Sequence, residues 1–145
     1  MSKNIFKYDD EKGEVTCILS NKDGVEFFGV AHCHPDDMDM YSHLTGENIA
    51  VIRAEIKVFQ HYISTFINPE LRTLNSLYNN LKGHPKFNPS SFESIFIKKR
   101  IYQLQKQKKN FKDCIKANKD ELRTYIKAKD SVYQAIRKQR KAKTE

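Results

Sequence analysis

The stretch GVAHCHPDDMDMYSH, residues 29–43, gathers His32, Cys33, His34, Asp36, Asp37, Asp39 and His43 within fifteen residues. These are the donor types of a zinc or harder-cation site, of a cysteine–histidine nucleophile and base, or of a metal-assisted phosphodiesterase. Structural zinc, however, wants paired Cys/His spacings at both ends of a loop, and only one end is present. On an extended strand His32 and His34 share one face while Cys33 takes the other, so the three do not converge. His32, His34 and His43 stand as the candidate metal ligands, without a spacing that names a reaction. The five glycines are scattered at 13, 24, 29, 46 and 83, so no glycine-rich phosphate loop is formed. Asp36, Asp37 and Asp39 have a simpler role, since negative charge near a helix N-terminus is favoured by roughly 0.3–1 kcal/mol per exposed site. The stretch reads as the joint where a sheet gives way to a helix, with an acidic patch at Asp36, Asp37 and Asp39 for contact with a partner.

The elements around the joint follow from hydropathy. EVTCILS (14–20) and VEFFGVAHC (25–33) alternate as strands about Asp23-Gly24, a two-residue hairpin signal. That turn pairs Leu19 with Phe28, Cys17 with Val30 and Val15 with His32, so His32 caps the hairpin core. A lone hairpin is marginal in water, so a third strand from NIFKY (4–8) is expected. Apolar steps of three and four run through Ile49, Ile52, Ile56, Phe59, Ile63 and Phe66. After a shift of one they continue as Ile67, Leu71, Leu74, Tyr78 and Leu81. The pattern predicts a helix over 46–82, capped by Thr45 with Glu47 or Asn48, and kinked or divided at Pro69. Gly83 and Pro85 end it, with Gly83 as a left-handed cap.

Ser90 or Ser91 caps a second helix over about 91–140, with Glu93 completing the arrangement. Its seam runs through Ile97, Leu104, Phe111, Asn118, Tyr125 and Val132, and through Ile101, Lys108, Ile115, Leu122, Lys129 and Ile136. Nine of these twelve are apolar, enough for coiled-coil packing. The short connection predicts an antiparallel fold-back, with about 55 Å of first helix against about 70–75 Å of second. The overhanging turns must then pack on the sheet, bind something, or fray. The expected fold is α+β: a two- or three-stranded antiparallel sheet and acidic loop (1–45), then a long helical, coiled-coil-like hairpin (46–145), as one structural unit.

A resemblance attaches to two of these segments. F-x-G-V-A-x-C-x-P-x-D, from Phe27 to Asp37, and T-G-x-x-I-A-x-x-R-A, from Thr45 to Ala54, resemble small proteins encoded by phages and mobile elements of low-GC Gram-positive bacteria. The resemblance covers about residues 25–60. It implies an accessory or host-takeover role and transfers no catalytic residue. The sheet-then-helix order is also similar to double-stranded-RNA-binding modules, but Glu47 stands where those need a lysine pair.

Charge carries the functional reading. The formal net charge is +8, with 17 Lys/Arg against 5 Asp/Glu in residues 98–145 and 9 against 13 in residues 1–97. The basic face comprises Lys98, Lys99, Arg100, Lys106, Lys109, Lys112, Lys116, Arg137, Lys138, Arg140 and Lys141, mostly off the seam. Such a row neutralises phosphates without reading sequence. The three cysteines lack a CxxC, no apolar run reaches the roughly 20 residues of a membrane span, and the N-terminus lacks a signal-peptide core. The expectation is a non-enzymatic, cofactor-free protein of the host cytoplasm. Its partner would be nucleic acid or a nucleic-acid-handling host complex, in the manner of an anti-CRISPR inhibitor of a defence nuclease. The alternatives are a homodimer formed through the C-terminal helix at Tyr125, Val132 and Ile136, and a metal-dependent hydrolase built on His32, His34, Asp36, Asp37 and His43.

Overall fold

The computed structural model describes residues 4–144. Strands β1 (Asn4–Asp9), β2 (Glu14–Ser20) and β3 (Glu26–His32) form an antiparallel sheet in that order. A 3-10 helix (Pro35–Met40) leads into α1 (His43–Tyr62). A π-helical segment (Ile63–Ile67) joins α1 to α2 (Asn68–Lys82), and α3 runs unbroken from Phe92 to Thr144. The fold class is α+β.

The hairpin register differs from expectation by one residue. Leu19 pairs with Phe27, Cys17 with Gly29, Val15 with Ala31 and Glu14 with His32. The cause is Asn21, whose side-chain Oδ1 accepts the backbone N–H groups of Asp23 (3.0 Å) and Val25 (2.9 Å). Its own N–H donates to the Val25 carbonyl at 3.0 Å. Residues 21–25 therefore turn as a wider loop in which only Gly24 takes a positive φ of 79°, not as a two-residue turn. A one-residue slip turns every β3 side chain over. Phe27 and Ala31 face the core, while His32 points to solvent and does not cap it. Phe28 joins Ile5 and Ile18 in an apolar row on the opposite face.

The molecule divides into two compact units, Met1–Val58 with Lys116–Glu145, and Phe59–Ile115. Within the first unit the sheet shares its core with the helices. In the first unit Val15, Cys17, Leu19, Phe27 and Ala31 pack against Ile49, Ala50 and Ala54 of α1, with Leu122, Tyr125 and Ile126 of α3 against the same cluster. The crossing of β3 and α1 is made by small residues. A Cβ on Gly29 would run into the Ala50 oxygen and the Ala54 nitrogen, and one on Gly46 into Val15. Arg53 ties the crossing by donating to the Val30 carbonyl at 2.6 Å. The helix begins at His43, with the Ser42 hydroxyl oxygen 3.4 Å from the Thr45 N–H. Ser42 thus occupies the capping role expected of Thr45.

In the second unit the expected disturbance at Pro69 takes the form of the π segment. The one-residue shift of the apolar stripe and the missing N–H of Pro69 are absorbed together by a turn that holds one extra residue. The Asn68 N–H bonds to the Ile63 carbonyl, and Ile63, Ile67 and Leu71 stay on one face, packed on Leu104 of α3. Gly83 ends α2 with φ −76°, right-handed and not the left-handed cap expected. Ser91 caps α3 as expected, its Oγ accepting from the Ser94 N–H at 3.3 Å and donating to Ser94 Oγ at 2.9 Å.

The α3 seam holds from Ile97 to Lys129 and then shifts by one position. Val132 is exposed and Tyr133 is buried in its place, its hydroxyl donating to the Met40 carbonyl at 3.1 Å. Seven residues of a straight helix fall about 20° short of two full turns, which moves the buried position on by one residue after a few heptads. Asn118, the polar seam residue, lies 3.5 Å from Glu55 Oε2 through its amide nitrogen.

Gly29→Ala is expected to destabilise the protein by about 3 kcal/mol, because the methyl meets backbone that cannot move aside. Gly24→Ala, where a Cβ meets open space, should cost about 1 kcal/mol from the positive φ alone. Denaturant midpoints of the two variants check the difference.

Candidate functional site

The ligand-type residues of the joint separate once the chain is folded. His32 lies 3.5 Å from Glu14 Oε1 through Nε2. His34 Nδ1 accepts the Asp36 N–H at 3.1 Å and so caps the 3-10 helix. The Cys33 N–H bonds to the Gly13 carbonyl at 2.8 Å, and its thiol donates to the Asp37 carbonyl at 3.3 Å. Burial, and after it the Asp37 charge, push that thiol up, so it stays protonated near neutral pH. Among the described residues no group of three or more His, Cys, Asp or Glu side chains is placed to hold a metal ion.

His43 finds partners that its neighbours in sequence do not reveal. Its Nε2 is 2.6 Å from Asp10 Oδ1. Its ring stacks on Tyr8 at 4.1 Å between centroids and meets the edge of Tyr41 at 5.5 Å. The Tyr8 hydroxyl bonds to Glu47. The contact with His43 holds Asp10 below the usual carboxylate range, so its contribution to stability is present above pH 3.8 and is lost as pH falls through the lowered value. The Tyr41 hydroxyl oxygen is buried and lacks a hydrogen bond of good geometry. Burial, and then the nearby Asp10 carboxylate, push this phenol up to about 12. These five side chains converge only because β1 pairs beside β2. No periodicity points to Tyr8 or Asp10.

The acidic patch is not left open. Asp37 is buried, with Oδ1 at 3.5 Å from Arg137 Nε. At that separation the charges attract, but Oδ1 makes no hydrogen bond. Asp39 pairs with Arg140. Asp36 alone of the three is highly exposed, near His34 Nδ1. The last turns of α3 therefore pack on the joint, and Arg137 and Arg140 are engaged within the unit, contrary to the expectation of a continuous outward row. Lys116 and Lys138 are exposed, and Lys141 lies on the same final turns.

The other basic residues belong to the second unit, 59–115, which carries ten Lys/Arg against three Asp/Glu, a net of +7. Arg100 is held by Glu70 through two bonds, Nε to Oε1 at 2.8 Å and a second guanidinium nitrogen to Oε2 at 3.2 Å. Lys98 Nζ sits 5.3 Å from the centre of the Tyr78 ring. Lys99, Lys106, Lys109 and Lys112 are exposed on α3, and none makes an ion pair within the described residues. They all stand off the seam defined by Ile97, Ile101, Leu104, Lys108 and Phe111.

Compared with protein-family models, with curated proteins and with solved structures, the chain finds no match in any of the three. Among the described residues no helix is long and apolar enough to cross a membrane.

Arg137→Ala should cost about 1–2 kcal/mol by leaving the buried Asp37 carboxylate without its counter-charge. Arg140→Ala, at a more exposed pair, should cost less than 1 kcal/mol. Thermal melts of each variant, with Asp37→Ala closing a double-mutant cycle, measure both. In an alkaline phenolate titration Tyr41→Phe should remove a step near pH 12. The stability held by the protonated phenol is present below pH 10 and is lost as pH rises from 10 towards 12.

Proposed function

We propose that this chain is a non-enzymatic binding protein whose second unit engages nucleic acid, or a host complex that carries nucleic acid. The observation that supports this most directly is the +7 charge of residues 59–115, with Lys99, Lys106, Lys109 and Lys112 exposed on one helix and tied to no carboxylate among the described residues. An ammonium group held in an internal ion pair has already lost part of its gain from meeting a phosphate. These four have not. Each phosphate they neutralise releases condensed counterions, so binding weakens steeply with salt.

The sheet unit, with its paired acidic and basic side chains, serves in this reading as a folded support that carries close to balanced charge, 16 Lys/Arg against 15 Asp/Glu. A small basic protein of this kind suits a phage-borne accessory role in the host cytoplasm, such as blocking a defence nuclease by occupying its nucleic-acid channel or the nucleic acid itself.

Changing Lys99, Lys106, Lys109 and Lys112 to Glu should lower affinity for a fluorescent oligonucleotide by at least about a hundredfold near physiological salt. It should also reduce the log–log salt slope by roughly three, at about 0.7–0.9 per lost contact. Because the four side chains are exposed, the melting curve should hold its shape. Unchanged affinity and slope would end the proposal.

A further inference from the structure

The stripe of α3 directly opposite its buried seam is not a plain solvated face. The seam runs Ser94, Ile97, Ile101, Leu104 and Phe111. On the other side, in steps of three and four, come Phe92, Phe96, Lys99, Tyr102, Lys106 and Lys109, until Asp113 ends the run. Phe92 is 78% exposed, Phe96 58% and Tyr102 65%. The rings of Phe92 and Phe96 lie 6.1 Å apart with an interplanar angle of 22°, a short open platform. Three large aromatic side chains turned to water on one helix face, with Lys99 set between Phe96 and Tyr102 and with Lys106 and Lys109 following, need a partner that offers flat apolar surfaces and negative charge side by side.

That requirement separates the occupants. A second copy laid on the same face would bring Lys99, Lys106 and Lys109 against their equivalents without a neutralising carboxylate between them. An acidic protein surface would satisfy the lysines and cover the apolar end at Phe92, Ile95 and Phe96, but its aliphatic side chains offer no flat face to Tyr102, which stands between Lys99 and Lys106. A nucleic-acid duplex offers phosphates while hiding the faces of its bases in the stack. A single strand offers both, base faces and phosphates in alternation along one chain.

Building on the reading that this unit engages a polyanion, we infer that the α3 stripe binds single-stranded nucleic acid in preference to duplex. Bases stack on Phe92, Phe96 and Tyr102, and phosphates are neutralised by Lys99, Lys106 and Lys109. Every base has a π face, so the preference is for strandedness and not for sequence.

The test uses the full chain with fluorescently labelled oligo-dT, a mixed-sequence duplex of the same length, and polyglutamate as an acidic polypeptide. The native protein should bind oligo-dT more tightly than the duplex and more tightly than polyglutamate. Tyr102→Ala should weaken oligo-dT binding by about fivefold to a hundredfold, the range found for loss of one stacked base. Tyr102→Phe should restore it. Phe92→Ala with Phe96→Ala should add a further loss, and duplex binding should stay within about twofold in every ring variant. The rings are exposed, so melting temperatures serve as the check that folding is intact. If ring variants bind oligo-dT as the native protein does while the four-lysine variant fails, phosphate contact alone operates, and this inference falls while the polyanion reading stands. If polyglutamate binds more tightly than oligo-dT, the face serves an acidic protein and the inference falls. If neither form of nucleic acid binds, both readings fall together.

Discussion

In the sheet unit, backbone meets backbone where β3 crosses α1. Gly29 has no room for a side chain against Ala50 and Ala54, and Gly46 has none against Val15. Close approach of this kind leaves the sheet and helix one way to fit, since a methyl group at Gly29 would run into main-chain atoms and one at Gly46 into the buried Val15 side chain. The consequences run outward from that contact. Gly29 and Ala31 must face inward, so Phe27 does too, and Phe28, Val30 and His32 take the other side. The loop at Asn21 obliges by holding two N–H groups with one side-chain oxygen. The segments from Phe27 to Asp37 and from Thr45 to Ala54 meet at this crossing. Gly29, Ala31, Gly46, Ala50 and Ala54 are its small residues, and Arg53 stitches it to the Val30 carbonyl. The physical content of that pattern is a packing solution, and no reactive group takes part in it.

The acidic stretch between sheet and helix serves the same unit. Asp37 and Asp39 meet Arg137 and Arg140, and Tyr133 reaches the Met40 carbonyl. Two short, oppositely charged segments from distant parts of the chain are thereby joined. Removing those arginines from the basic row also narrows the functional question. The free positive charge is concentrated in residues 59–115, where rings and lysines share a helix face. In the first unit, by contrast, Arg137 and Arg140 are engaged with the acidic joint.

Much of the architecture could be read from one dimension. Alternation marked the strands, steps of three and four marked the helices, and the stripe shift near Pro69 marked the place where a π turn absorbs an extra residue. The serine cap of α3 was legible because hydroxyl capping is local chemistry. What failed were features decided by a competition between near-equal local choices. Asp23-Gly24 promised a tight turn, but Asn21 made a wider one. A seven-residue seam pointed to Val132, but a straight helix turns slightly less per residue than that repeat requires and brings Tyr133 inward. Thr45 was a fair cap, yet Ser42 lay one turn edge earlier.

The sequence alone determined the element types, their order and the surplus of lysine, because periodicity and charge are properties of the chain itself. Only the tertiary structure decided which ionisable groups meet. His32, His34 and His43 are near neighbours along the chain and go to Glu14, Asp36 and Asp10, while Asp37 and Arg137, a hundred residues apart, pair. Such pairings depend on which faces the packed core leaves adjacent. Core packing is set by volume and close contact, and no pattern of charge along a strand of letters encodes it.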